Sequence, residues 1–341
     1  MSDAMTFVPA NAPRLSWRGH VSLEPVGEGF KPWRIPFNDR RLFPGVAEKA
    51  ESPAGVRLAF DTDAQTLQLR AELADNGSLL PDVCVGDEVV AMPPGETVAL
   101  PGSGMRHVEV WLPQSGTATV HGVELPTDAT LARPEDDARP IWLTYGSSIT
   151  HCAQAKSPTR TWPARAARQA GLDLTCLGFG GQCHLDPMVA RVIRDQPADY
   201  ISICCGINIH GAGSMNSRSF PAAVIGTIEI IREGHPDTPL CLISPIYSPP
   251  REEVATTDLT LVSMRAGIRE IVDLLRERGD ERLFYVDGLD IFGPDSVPED
   301  ADMKTLMPDD LHPEDVAQPI LAGNVVRHVF GGAFGMDVPR Q

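Results

Sequence analysis

The second part of the sequence alternates between short apolar runs and longer stretches with helical spacing. The apolar runs are IWLTY, LTCLGF, ADYISICCG, PLCLISPI and RLFYVDG, between residues 141 and 288. Repetition of strand and helix predicts a parallel sheet of five strands with helices on both faces, an α/β fold. Ligands of such sheets bind beyond the carboxyl ends of the strands, so the turns after the strands are where we look for chemistry.

The first part of the chain has a different pattern of apolar and polar residues. Segments such as VRLAFDTD, TLQLRAEL and RHVEVWLP alternate apolar and polar residues, and Gly, Pro and Asp separate them. Period-two alternation predicts strands with one buried face, hence an antiparallel β-sandwich or jelly roll. The predicted organisation is a sandwich over residues 1–131, a linker over 132–140, an α/β domain over 141–332 and a tail over 333–341.

Composition narrows the class of protein. The net charge of −17 argues against binding to nucleic acid or an anionic membrane. No apolar run is long enough to span a membrane, and the amino terminus has no secretory pattern, so we expect a cytoplasmic protein. The seven cysteines form no CxxC pair and several lie in apolar runs, which indicates reduced core residues. They are at positions 84, 152, 176, 183, 204, 205 and 241.

Four turns carry glycine or polar residues. They are Gly146-Ser147-Ser148, LGFGGQ (177–182), CGINIHG (205–211) and PDDLHPED (308–315). Each has a plain structural explanation when taken singly, as a helix cap, a tight turn or a first-turn proline. Together they contain every part of an acyl-transfer site.

The parts of that site have distinct tasks. A serine hydroxyl becomes a nucleophile when a base accepts its proton; His312 can be the base, and Asp309 can hold its ring. A helix starting at Pro313 would favour the neutral imidazole. The backbone N–H groups of Ser148 and Gly181 and the amide of Asn208 are the candidate donors to an oxyanion. Either serine of the pair could cap the following helix.

These four turns, in this order, resemble the blocks of the SGNH, or GDSL-like, hydrolase family. The resemblance implies Ser148 as nucleophile, with Ser147 at the position of the family's Asp. Gly181 matches the second block, and Asn208 matches the third. Asp309-x-x-His312-Pro313 matches the last block in full.

Two acidic residues of the family pattern are replaced. Ser147 stands for the Asp beside the nucleophile, and Ile209 stands for the Asp after Asn208. Both replaced groups brace turns and neither reacts. Ser147 can brace through its hydroxyl, but Ile209 cannot. His210, the next residue, is a lesser candidate for a site role, with orientation of a loop or exposure to solvent favoured.

The arrangement is similar to two-domain members of the family with an amino-terminal sandwich. Some are esterases, including deacetylases of carbohydrates, and others are acyltransferases of aromatic polyketide pathways. In such members the front domain can form a wall of the pocket, which makes Trp33 and Arg34 candidate substrate contacts, although Trp33 fits a sandwich core as well.

The predicted function is therefore serine-dependent acyl chemistry, first as an esterase or acylhydrolase and alternatively as an acyltransferase to a hydroxyl. A second alternative is an inactive carbohydrate-binding protein. The substrate partners expected are a small acyl ester or thioester and an alcohol acceptor. GFGGQC lacks the third glycine of a dinucleotide site, no GxSxG is present, and His151, His184, Asp186 and His210 lack metal spacing. We expect no cofactor and no metal.

Overall fold

The protein is described from a computed structural model, which covers residues 4–134 and 139–338. The predicted tail and linker thus lie in part outside the described residues, at 339–341 and 135–138. Backbone contacts divide the chain into two units. The first unit comprises the chain up to Arg41, Ala50–Arg139 and Lys156–Thr159; the second comprises Leu42–Lys49, Pro140–Ala155 and the chain from Arg160 onward. The domain bounds drawn from sequence stay predictions.

The first unit is built from two antiparallel sheets. One has the order β3-β4-β11-β6-β9 with β1 beside β11, and the other has the order β12-β5-β10-β7-β8 with β2 beside β5. Strands β1 to β12 are Met5–Pro9, Ser16–Arg18, Ser22–Val26, Gly29–Trp33, Arg57–Thr62, Thr66–Ala74, Asp82–Val85, Glu88–Ala91, Thr97–Ala99, Arg106–Trp111, Thr117–Pro126 and Leu131–Ala132.

Alternation along these strands builds the core of the first unit. In β10, Val108 and Val110 are fully buried members of one apolar cluster, as the period-two pattern predicts. Glu109 and Trp111, between and after them in sequence, are also buried but belong to a polar group. There, the Trp111 indole donates to Glu109, and the Arg57 guanidinium lies 4.5 Å from the Trp111 ring.

Glu109 is the acceptor at the centre of that polar group. Its Oε1 accepts from Arg57 Nε at 3.2 Å and from Arg139 Nη2 at 2.6 Å. Burial by itself raises the pKa of Glu109, but the charges of Arg57 and Arg139 and a bond from His107 outweigh it, so the pKa lies well below its usual range. Arg139, the last residue of the first unit before the α/β sheet begins, is therefore fixed to β10.

The second unit contains a five-stranded parallel sheet of order β14-β13-β15-β16-β17, as predicted from the five apolar runs. Strands β13 to β17 are Ile141–Gly146, Asp173–Gly178, Tyr200–Cys204, Leu240–Ile243 and Leu283–Val286. The helices, numbered along the whole chain, are α1 Val46–Ala50, α2 Ser148–His151, α3 Trp162–Ala170, α4 Pro187–Asp195, α5 Ile207–Ala212, α6 Phe220–Arg232, α7 Leu261–Glu277, α8 Gly288–Ile291, α9 Met303–Leu306 and α10 Gln318–Asn324.

Local sequence signals set the ends of the longer helices. Thr161 caps α3 by accepting from the backbone N–H of Ala164, and Gly171 ends that helix in the left-handed conformation. Thr260 and Ser263 form a reciprocal capping box at the start of α7. These signals explain why the helices fall close to where the sequence predicts them.

The last helix differs from the sequence expectation. A 3₁₀ turn, Asp315–Ala317, precedes α10, and the chain continues as a π-helix over Val325–Ala333. The helix expected to start at Pro313 therefore begins later. Since a helix dipole acts mainly on its first turn, the proposed dipole effect on His312 is not supported.

One segment of the amino-terminal half belongs to the second unit. Leu42–Lys49 packs there, and a carbon placed on Gly45 would lie 2.3 Å from Oε1 of Gln182. Gly45 also has a φ of +76°, which favours glycine. This segment therefore lies against Gln182 in the loop after β14, one of the turns predicted from sequence to build the site.

Candidate active site

The turn after β13 gives the two neighbouring serines different positions. Ser147 has extended backbone angles and caps α2, its Oγ accepting from Ile149 N at 3.2 Å. Ser148 is the first residue of α2. A carbon on Gly146 would lie 2.1 Å from Thr150 Oγ1, so the turn requires glycine at that position. The cap is therefore Ser147, which leaves the Ser148 hydroxyl available for chemistry.

The structure brings Ser148, His312 and Asp309 into one hydrogen-bonded chain. Ser148 Oγ lies 2.9 Å from His312 Nε2, although the two residues are 164 positions apart. His312 Nδ1 lies 2.6 Å from Asp309 Oδ2. This is the order nucleophile, base and orienting carboxylate that serine acyl transfer requires.

Asp309 is held as a carboxylate by backbone donors as well as by the ring. Its Oδ1 accepts from the N–H groups of His312 and Leu311 at 2.7 and 3.0 Å. Burial opposes its ionisation, but these bonds and the His312 side chain lower its pKa. A charged Asp309 holds the proton on Nδ1, which leaves Nε2 as the acceptor facing Ser148.

The loop over residues 180–183 lies against Ser148. A carbon on Gly180 would be 3.8 Å from Ser148 Cβ, and Gly181 has a φ of +74° with open space where a side chain would point. Cys183 N donates to Asn208 Oδ1 at 3.0 Å. Because the Asn208 oxygen accepts this bond, the NH₂ group of the same amide is the end that can donate to a ligand. The three candidate donors, on Ser148, Gly181 and Asn208, thus follow the neighbouring strands β13, β14 and β15.

The His210 side chain is hydrogen-bonded to the loop before α7. Its Nε2 donates to the carbonyl of Val254 at 2.7 Å, and its side chain is almost fully buried. Ile209 is also buried and apolar, so the acidic brace that it replaces has no polar substitute at that position.

Trp33 and Arg34 lie in the first unit with their polar groups engaged. Trp33 donates its indole N–H to Glu24 at 2.8 Å, and Arg34 Nε donates to the carbonyl of Ser52 at 2.6 Å. Both side chains are buried, at 3% and 0% exposure. These contacts favour a structural role, and a substrate contact by either residue stays a prediction.

Several supporting residues were not predicted from sequence. His151, one helical turn after Ser148, accepts a hydrogen bond at Nδ1 from Gly180 N at 3.4 Å. Ser248 and Arg251 bind the carbonyl of Asp310. The spacing of His151 from Ser148 was a usable signal, but Ser248 and Arg251 lie about 60 residues before the loop that they hold, and no local pattern marks them.

The seven cysteines, all within the described residues, are buried and form no disulfide there. Burial raises the pKa of Cys204 to about 12, so that thiol is a poor nucleophile. Within 4–134 and 139–338, no cluster of His, Cys, Asp or Glu is arranged to hold a metal. No helix in these ranges is long and apolar enough to cross a membrane. A cavity of about 1170 Å³ beside Arg269, Asn324 and Arg327 includes none of the proposed site residues.

Comparison with known proteins gives full-length similarity. A sequence model of the GDSL-like lipase/acylhydrolase family matches residues 139–322, and one of the SsfX3 N-terminal domain matches residues 15–92. The solved structure of the salicylyl-acyltransferase SsfX3 from a tetracycline biosynthetic pathway is 34% identical, with a TM-score of 0.86, and covers 100% of both chains.

More distant structures agree on the fold. A putative GDSL-like lipase from Bacteroides ovatus is 19% identical over 99% of this chain and 100% of its own, with a TM-score of 0.76. A family two carbohydrate esterase from Cellvibrio japonicus is 14% identical over 97% and 98%, with a TM-score of 0.64. No curated protein matches the sequence. The predicted architecture, a β-sandwich followed by a parallel α/β domain, is confirmed.

Proposed function

The chain belongs to the GDSL-like lipase/acylhydrolase family, and from that membership we propose that Ser148, His312 and Asp309 are the catalytic triad of this serine acyl-transfer enzyme. The observation that carries the proposal is the continuous chain from Ser148 Oγ through both ring nitrogens of His312 to Asp309, at 2.9 and 2.6 Å. An inactive carbohydrate-binding protein has no use for such a chain.

The first half-reaction acylates Ser148. Its Oγ attacks the carbonyl carbon of an ester or thioester while His312 Nε2 takes the hydroxyl proton. The tetrahedral intermediate collapses, the bond to the leaving group breaks, and His312 returns the proton to the departing oxygen or sulfur. Asp309 does not react; it stabilises the transient imidazolium and fixes the ring.

The oxyanion of the intermediate is stabilised by the N–H groups of Ser148 and Gly181 and by the amide of Asn208. Support comes from the bond between Cys183 N and Asn208 Oδ1, which leaves the amide nitrogen to donate. The left-handed Gly181, with open space beside it, leaves room for a substrate oxygen. Preorganised donors of this kind stabilise the intermediate more than the substrate.

The second half-reaction decides between transfer and hydrolysis. We favour transfer to the hydroxyl of an alcohol, because the relative at 34% identity over both full chains is an acyltransferase. The match to the N-terminal domain of the same protein supports this choice. The similar carbohydrate esterases bear on the fold alone. Hydrolysis, the first choice from sequence, is the second candidate, since water can take the place of the alcohol.

A direct experiment tests the triad and the product together. Purified protein is labelled with a fluorophosphonate and separately incubated with acyl esters and thioesters, with and without alcohols, while free acid and new ester are both measured. We expect Ser148→Ala to abolish labelling and product, and Ser147→Ala, which loses only a helix cap, to retain labelling. Labelling of Ser148→Ala at the wild-type rate would contradict the assignment, and free acid alone with every alcohol would contradict transfer.

A further inference from the structure

The loop over residues 248–258, which joins β16 to α7, is bonded to two of the turns that build the site. At its start, Ser248 Oγ donates to the carbonyl of Asp310 at 2.5 Å, and Arg251 Nη1 donates to the same oxygen at 3.2 Å. Asp310 stands between Asp309 and His312 and has a φ of +57°, a strained conformation that these bonds hold. The loop therefore begins beside the catalytic base.

Further along, the same loop lies on α5, the helix that carries Asn208. His210 Nε2 donates to the carbonyl of Val254, and Thr257 Oγ1 donates to the carbonyl of Met215 just beyond α5. A carbon on Gly213 would lie 3.2 Å from Thr256 Cγ2. The loop thus extends from the His312 turn to the helix of a proposed oxyanion donor.

Glu252, near the start of this loop, is turned into the protein, whereas Glu253 and the residues after it, up to Thr257, are exposed. Glu252 forms two bonds with the buried Arg265, at 2.6 and 2.9 Å, and also accepts from Ser248 N. Val254 is 60% exposed, an unusual position for a large aliphatic side chain in a loop that is tied down on both sides of it. Such a side chain is available to contact an apolar ligand at little cost in ordering.

We propose that the 248–258 loop forms a wall of the alcohol subsite and that Val254 contacts the apolar part of the alcohol. The proposal rests on the function proposed above. His312 Nε2 exchanges its proton with the oxygen of the alcohol, whether that alcohol leaves the donor or attacks the acyl-enzyme, so the alcohol binds beside His312. The loop bonded to Asp310 borders that side, and its exposed methyl groups select an apolar alcohol over a sugar.

The test uses the full chain and two esters of one acid, a methyl ester and a benzyl ester, with release of the alcohol as readout. Release is measured whichever acceptor completes the reaction. Val254→Ser is expected to raise KM for the benzyl ester about five- to tenfold. This is the loss in binding expected when a Val side chain that the ligand would partly bury is removed. The change for the methyl ester is expected to be much smaller, because its methyl group is too small to contact Val254. Leu274→Ser, on α7 and 47% exposed, is the matched control.

A second pair of variants tests the anchor. His210→Leu removes the donor to the Val254 carbonyl and is expected to raise KM for the benzyl ester; His210→Gln keeps a donor and is expected to restore part of the affinity. If the KM for each ester is the same in Val254→Ser and Leu274→Ser as in wild type, the inference is overturned and the triad proposal stays intact. Wild-type protein that neither labels nor releases alcohol from either ester would overturn both.

Discussion

At the scale of the residue, the orientation of one amide decides a predicted catalytic effect. Asn208 Oδ1 accepts from Cys183 N, so the NH₂ group is the end left for the substrate. We expect Asn208→Ala to lower kcat by about 10²–10³ with little change in KM, because the donor acts on the charge that develops in the transition state. Steady-state kinetics on a chromogenic ester measures both constants.

Asn208→Asp is the matched control for that prediction. It keeps an oxygen for Cys183 N but presents a second oxygen where the NH₂ group stood, so its kcat should fall at least as far as that of the alanine variant. A loss confined to KM in Asn208→Ala would point to a binding role and would count against an oxyanion donor.

Single residues also show how far the site can be predicted from sequence. Ser148, Asp309 and His312 lie in short motifs from which their proposed roles were predicted. Which of the two serines caps α2 was left open by the sequence, and the structure gives Ser147. Ser248 and Arg251 carry no such signal, since they act on Asp310 through the fold of the chain. Polar contacts between distant segments depend on register and packing, which a single sequence does not show.

At the scale of the element, the Leu42–Lys49 segment tests how the loop after β14 is supported. Gly45→Ala would place a carbon 2.3 Å from the Gln182 side chain and would also force a non-glycine residue to a φ of +76°. We expect a loss of about 1–2 kcal/mol in the free energy of unfolding from the backbone alone, and a lower kcat because Gln182 adjoins Gly181. Urea unfolding and ester kinetics measure the two effects.

The matched control for Gly45→Ala is Gly171→Ala at the end of α3. Gly171 has a φ of +65° with open space around it, so it carries the backbone cost without the collision. Only Gly45→Ala should lower kcat, and the added change Gln182→Ala should recover part of it. Equal kcat in both glycine variants would argue against support of the loop by this segment.

The elements themselves were largely predictable. A period of two residues located β5, β6 and β10 of the first unit, because burial of one face imposes that period. Short apolar runs located the five strands of the second unit, and helical spacing located its longer helices. The assignment of Leu42–Lys49 to the second unit was not predictable, since its sequence has no feature that distinguishes it from the sandwich around it. The start of the last helix was also misplaced, because Pro313 lies in irregular chain before the 3₁₀ turn Asp315–Ala317.

At the scale of the whole molecule, stability should depend on pH through Glu109. Its pKa is depressed, so its contribution is present above the pKa of the unfolded chain and is lost as the pH falls through the lower folded value. Glu109→Gln leaves Arg57 and Arg139 without their carboxylate and is expected to cost about 3–5 kcal/mol at pH 7. Urea unfolding from pH 7 to pH 3 should show the gap between the two proteins narrowing in acid.

Glu124→Gln is the control for this prediction. Glu124 pairs with the half-exposed Arg70 at 3.0 Å, so its removal is expected to cost less than about 1 kcal/mol. A gap between wild type and Glu109→Gln that stays constant down to pH 3 would contradict the role of the Glu109 charge.

Removal of the amino-terminal half tests the division of the chain. A chain starting at Pro140 lacks Leu42–Lys49, which belongs to the second unit. We expect it to label poorly with a fluorophosphonate, and co-expression with residues 1–139 to restore labelling, because the missing segment is then supplied. Wild-type labelling and an unchanged Tm in the chain starting at Pro140 would show that the segment is dispensable.

The shared segment bears on how such a protein can be inherited. The chain passes between the two units five times, so no single crossover between genes separates them. A recombination event that replaces everything before residue 140 also replaces the glycine opposite Gln182. A front half from a distant homologue then gives a functional protein only when it carries a glycine turn that fits against Gln182. The sandwich and the catalytic half are therefore expected to share one phylogeny.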